Sequence, residues 1–162
     1  MEENRGNILM YQTVDGNTAI EVVLSNETVW LTIDKMAELF QRNKSTISRH
    51  IKNILECGEL SADSVVAFFA TTANDNKVYN VQYFNLDMII SVGYRVNSLR
   101  GVQFRKWATS VLREYLIKGF AMNDALLKNA GGGNYFDELL SRIHDIRSSE
   151  KVFYRKVLEI YA

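Results

Sequence analysis

The chain has 162 residues, the length of one ordinary domain with room for an appendage. Its apolar share of 47% and charged share of 23% match soluble globular averages, which argues against disorder, and no apolar run approaches the ~18 residues that cross a bilayer. Nineteen Lys and Arg against nineteen Asp and Glu exclude a uniformly basic coat, and a single cysteine, Cys57, excludes an internal disulfide framework or a cysteine-rich zinc site.

The first thirty residues read as strands. Ile8 to Thr13 and Ala19 to Leu24 are β-prone runs joined by Asp15-Gly16-Asn17, a hairpin signal, and Ser25-Asn26-Glu27 turns the chain into a third strand over 28–32. Their alternation is imperfect, which predicts that later helices cover one face. From Thr32 the period becomes helical, with Thr32 as N-cap and Ile33, Met36, Ala37, Leu39 and Phe40 at helical spacing. Gln41 to Lys44 is a polar break of turn length. Ser45 is expected to cap a second helix whose inward stripe is Ile47, Ile51, Ile54 and Leu55, and Gly58 to stop it. Ser61 is expected to cap one further helical turn.

Val65 to Thr72 and Lys77 to Phe84 then form a second hairpin around Asn74-Asp75-Asn76. Asn85 is expected to cap a helix reaching about Tyr94. After a loop at Asn97 to Gly101, another helix runs to Lys118, burying Phe104, Trp107, Ala108, Val111, Leu112 and Tyr115, with Gly119 as its end. No proline interrupts any of these helices.

Gly131-Gly132-Gly133 is the linker signal, so the expected division is 1–128 and 129–162. Beyond it Phe136, Leu139, Ile143, Ile146, Phe153, Val157 and Ile160 fall at intervals of 3, 4, 3, 7, 4 and 3, with Glu150 in the missing seam position. That heptad stripe needs a partner surface. The expectation is a homodimer through this C-terminal helix, in which Glu150 weakens the pair and selects its register. The pattern is still running at Ala162, which suggests that the chain is cut from a longer protein.

The neutral total conceals local charge. Residues 1–40 hold 2 basic and 7 acidic side chains, residues 95–122 hold 6 and 1, and residues 42–52 hold Arg42, Lys44, Arg49 and Lys52 with no acid. Two basic stretches in a neutral chain suggest a directed positive face for a polyanion. The stretch from Thr32 to Leu55 has the form of a helix-turn-helix: two short helices, a short turn, small Ala37 at the crossing, and Phe40 and Ile47 in the angle. Its second helix presents Thr46, Ser48, Arg49, Lys52 and Asn53, with His50 beside them. Arg49 and Asn53 suit base edges, while Lys44, Ser45, Thr46 and Lys52 suit phosphates. Arg42 in the turn, Lys77 at the hairpin, and Arg95 and Arg100 at the later helix corner complete the candidate DNA contacts. His50 occupies the position where an inward residue is expected, with Ile51 next to it, so the helix register is open by one residue.

Several segments resemble the bacterial RhuM family of virulence-associated proteins. They are Val29-Trp30-Leu31-Thr32, Met36-Ala37-Glu38-Leu39-Phe40, the run from Ser45 to Ile54, Tyr83-Phe84-Asn85-Leu86-Asp87, and Ile90 to Val96. Arg100 to Arg105, Trp107-Ala108-Thr109, Val111 to Leu116 and Gly119 to Asp124 extend the resemblance over nearly the whole chain from about residue 8. A looser likeness to phage antirepressor and Bro N-terminal domains rests on Phe104-Arg105-Lys106-Trp107 and Lys118-Gly119. These resemblances imply DNA binding in a mobile element or pathogenicity island, without naming an operator.

Enzyme readings find little support. His50 and His144 each have a structural account, Gly131-Gly132-Gly133-Asn134-Tyr135-Phe136 follows a helix and lacks the last glycine of a dinucleotide fingerprint, and Cys57 reads as structural. A chain without proline cannot carry the His-Pro-Phe motif of Fic-type transferases. The expectation is therefore a non-enzymatic α+β protein without cofactor or metal. Its winged-helix-like DNA-binding domain carries N-terminal and wing hairpins and is followed by an amphipathic C-terminal helix. The opening Met-Glu-Glu-Asn lacks the basic and apolar regions of a signal peptide, so a cytoplasmic, membrane-free location is expected, with double-stranded DNA as partner. The alternative is an antirepressor-like module that captures another protein without touching DNA.

Overall fold

The computed structural model describes residues 8–12, 19–25, 28–72, 77–124, 127 and 134–161. It is an α+β chain that divides into two compact units, 1–113 and 114–162. The division falls inside a helix, whereas the glycine run expected to mark it lies outside the described residues, as do the tips of both hairpins at 15–17 and 74–76.

Strands β1 (Ile8–Gln12), β2 (Ala19–Ser25) and β3 (Thr28–Trp30) form an antiparallel sheet in chain order, with an irregularity in the first pair between Leu9 and Gln12. Helices α1 (Ile33–Phe40) and α2 (Lys44–Glu56) follow, then the single turn α3 (Ala62–Val65). Strands β4 (Val66–Thr72) and β5 (Val78–Phe84) pair residue for residue, from Val66 opposite Phe84 to Thr72 opposite Val78. Leu31 adds a bridge to the base of this hairpin. Its amide donates to the Phe84 carbonyl at 2.9 Å and its carbonyl accepts from the Phe84 amide at 2.8 Å. Trp30, Phe69 and Tyr83 pack edge to face beside it, at centroid distances of 5.9 and 5.1 Å.

Helices α4 (Leu86–Arg95) and α5 (Leu99–Lys118) close the first unit, and α6 (Asn134–Tyr161) belongs to the second. Asn85 caps α4 as its sequence suggests, its side-chain oxygen accepting from the Met88 amide at 3.2 Å. The cap of α5 is Ser98, whose Oγ accepts from the Gly101 amide at 2.9 Å. The expected loop at 97–101 is therefore shorter, and Arg100 and Gly101 are helical. Gly119, at φ +78°, ends α5.

One core lies within the first unit. Met36, Leu39 and Phe40 from α1 meet Ile47, Ile51 and Ile54 from α2, Val65, Phe84, and Met88, Ile89 and Val92 from α4. Phe104 of α5 lies edge on to Phe40 at 5.4 Å and over Gly93, where a Cβ would stand 2.8 Å from its ring. Of the stripe expected to be buried on α5, only Phe104 is in this core. Trp107, Val111, Leu112 and Tyr115 are exposed, because the core ends near the first turns of the helix.

Candidate nucleic-acid interface

The geometry of the helix pair begins at Gln41. It adopts the left-handed conformation at φ 48°, its amide donates to the Glu38 carbonyl at 3.2 Å, and the Arg42 amide donates to the Ala37 carbonyl at 3.0 Å. These are the two bonds of a Schellman ending, with glutamine where glycine is usual. They turn the chain within three residues, so that α2 leaves at an angle to α1. The same ending recurs after α2, where Gly58 has φ +74° and the Glu59 amide reaches the Ile54 carbonyl at 3.2 Å.

The N-cap of α2 is Asn43, not Ser45, and it makes no side-chain capping bond. Lys44, Ser45 and Thr46 are thus the first turn of the helix, where the Thr46 amide donates back to the Asn43 carbonyl at 3.0 Å. Ile47, Ile51 and Ile54 are buried at 0%, 5% and 0% exposure, which settles the register. At about 100° per residue, Arg49 stands opposite that stripe, flanked by Ser45, Lys52 and Asn53. Ser48, Arg49, Lys52 and Asn53 are all exposed, and Thr46 is half-buried. His50 lies half-buried on the flank. Burial first, then the charges of Arg49 and Arg95, hold its imidazole below the ordinary range and favour the neutral ring.

The candidate cations separate by what they touch. Lys44 Nζ meets Asp34 of α1 at 2.6 Å, and Lys52 Nζ meets Glu56 one turn on at 3.5 Å. Both pairs are well exposed, so a phosphate competes with them at little cost. Arg42 and Arg49 make no ion pair with another described residue. Lys77 lies exposed just ahead of β5, at the end of the hairpin far from Phe84.

One expected contact is corrected and another is found paired. Arg100 is only 9% exposed, since α5 begins early enough to turn it inward, and it is not part of the surface. Arg95 is committed to Glu59: Nη1 donates to Oε1 at 3.1 Å and Nη2 to Oε2. That bond, and a weaker one to Ser91, hold the Glu59 carboxyl below its usual range. The pair ties the end of α4 to the turn after α2, with the Arg95 side chain still exposed. Sequence reasoning also passed over Arg105, whose Nη1 donates to the Gly93 and Val96 carbonyls at 2.9 and 3.0 Å and so caps the end of α4.

A family model described as Virulence protein RhuM family matches residues 64–162, more than half of the chain. The chain belongs to that family. The RhuM match opens in α3 and takes in the β4–β5 hairpin, α4, α5 and α6, with α1 and α2 ahead of it. No curated protein and no solved structure matches the chain. Among the described residues no three His, Cys, Asp or Glu groups gather as a metal site, and no helix is long and apolar enough to cross a membrane.

Proposed function

We propose that this RhuM-family chain is a sequence-specific double-stranded DNA-binding protein, a transcriptional regulator of a bacterial mobile element or pathogenicity island acting in the cytoplasm. The observation that carries the reading is the outward face of α2. Arg49 stands opposite three buried isoleucines, without an ion pair among the described residues and between the short side chains Ser45, Ser48 and Asn53. A guanidinium held on a rigid helix, with small neighbours, can approach a guanine edge closely enough for a bidentate pair. In this reading α1, the three-residue turn and α2 are a helix-turn-helix, Leu31 with the β4–β5 hairpin is the sheet of a winged helix, and α2 enters the major groove. Arg49 and Asn53 read bases. Lys44, Ser45, Thr46 and Lys52 hold phosphates, with Arg42 beside them, and Lys77 meets the neighbouring backbone.

Pairing through α6 belongs to the same proposal. Ile143, Ile146 and Ile160 of its seam are 51%, 70% and 78% exposed, which leaves an apolar face for a second copy. Selection of bound fragments from random duplex DNA tests the reading: an enriched motif supports it, and an unenriched pool overturns it. The second reading, a module that captures another protein, is favoured by one observation, the exposure of Phe68 and Val78 on the hairpin at 66% and 67%. A salt titration separates the two, because groove binding weakens steeply with ionic strength and an apolar interface hardly responds.

A further inference from the structure

Most cations of the first unit are already engaged. Lys35, Lys44, Lys52 and Arg95 pair with Glu38, Asp34, Glu56 and Glu59, Arg105 binds backbone carbonyls, and Arg100 is buried. Among the described residues of this unit, Arg42, Arg49, Lys106 and Arg113 have neither an ion pair nor a side-chain hydrogen bond. Two of these are the turn and outward face of the helix pair. The other two lie on α5.

Lys106 and Arg113 are seven residues apart, so they share one helix face about 10.5 Å apart along its axis. Thr109 and Ser110 fill the turn between them, and all four line one shallow groove with Val102 and Arg105. The Ser110 hydroxyl donates to the Trp107 carbonyl at 2.7 Å, which leaves Thr109 as the hydroxyl open to a ligand. The nearest acid along the helix, Glu114, is held by Lys118 at 2.7 Å. The face thus offers two cations without an ion pair among the described residues, and one hydroxyl, over two turns. This is the side-chain set that positions a backbone without reading sequence.

We propose that this face of α5 is a second contact for the phosphate backbone of duplex DNA, separate from α2, which adds affinity without sequence preference. The choice of DNA rests on the reading of α2 given above. The test compares wild type, Lys106→Gln/Arg113→Gln and Arg49→Ala on a selected duplex and on a random-sequence duplex between 50 and 200 mM salt, after thermal melting has shown that all three fold. The α5 variant is expected to weaken on both duplexes by the same factor. Its salt slope should be shallower by about 1.8, so that its deficit against wild type narrows about twelvefold across that range. A wild-type affinity and slope in the α5 variant overturn the proposal, while loss of preference in Arg49→Ala leaves the α2 reading standing. The reverse pattern, with a shallower slope in the α5 variant and an unaltered Arg49→Ala, supports the α5 contact and removes the α2 reading. Loss of sequence preference in the α5 variant, or failure of wild type to bind either duplex, also overturns the proposal.

Discussion

Glycine inside a helix ordinarily gains ~0.5–1 kcal/mol when replaced by alanine, because the unfolded chain loses freedom. Gly93 in α4 should do the opposite. A Cβ there meets Phe104 Cδ1 and Cε1 at 2.8 Å and Phe40 Cζ at 3.0 Å, in a core where both rings are at most 1% exposed. Neither ring is the free end of a flexible chain, and the two are locked edge to face at 5.4 Å. Moving Phe104 also disturbs the next residue, Arg105, which donates to the Gly93 carbonyl itself at 2.9 Å. Overpacking of this kind costs ~1–3 kcal/mol, so Gly93→Ala should be destabilised by about 1–2 kcal/mol after the helix gain is subtracted. Urea unfolding checks it. With a slope of ~1–3 kcal/mol/M the midpoint should fall by roughly 0.3–2 M at unchanged slope. A midpoint equal to or above wild type would mean that α4 and α5 do not approach each other as closely as Gly93 and Phe104 require.

Other perturbations have definite signs. Gln41→Gly should stabilise the protein by up to about 1 kcal/mol in the same assay, since it relieves a left-handed glutamine. Gly58→Ala should cost about 1 kcal/mol through backbone strain alone, because open space surrounds the new methyl. His50 has a folded pKa below its ordinary 6.5, so the unfolded chain binds more protons between those two values. Stability is full above about 6.5, falls as pH drops towards the lowered value, and levels off below it; His50→Gln should remove this slope from the difference between the two proteins' unfolding curves. Ile146→Asp should shift sedimentation towards the monomer, and an unchanged distribution would place any self-association elsewhere.

Local chemistry made much of this fold readable. The helix starts at Thr32 and Asn85 and the stops at Gly58 and Gly119 were legible because a capping side chain or an unhindered positive φ decides each of them within a few residues. The stripe Ile47, Ile51 and Ile54 was legible in the same way, and it resolves the register that His50 left open. The turn at Gln41 was read only as a polar break, since glutamine carries no left-handed signal. What depends on distant partners was not readable. Arg95 and Glu59 are far apart in sequence, and nothing local predicts their meeting. Arg100 counts as surface charge in the sequence because the loop expected at 97–101 holds it, whereas α5 begins three residues earlier than that loop's end allows. Lys52 looked free because its partner Glu56 lies just beyond the acid-free stretch.

The central claim, that α2 reads bases through Arg49, is tested most directly by the ratio of affinities for a selected duplex and a scrambled one. One bidentate arginine–guanine pair is worth ~1–3 kcal/mol of discrimination, so Arg49→Ala should lower that ratio by roughly 5- to 150-fold while binding to the scrambled duplex changes little. An Arg49→Ala protein that keeps the full wild-type ratio would contradict the account.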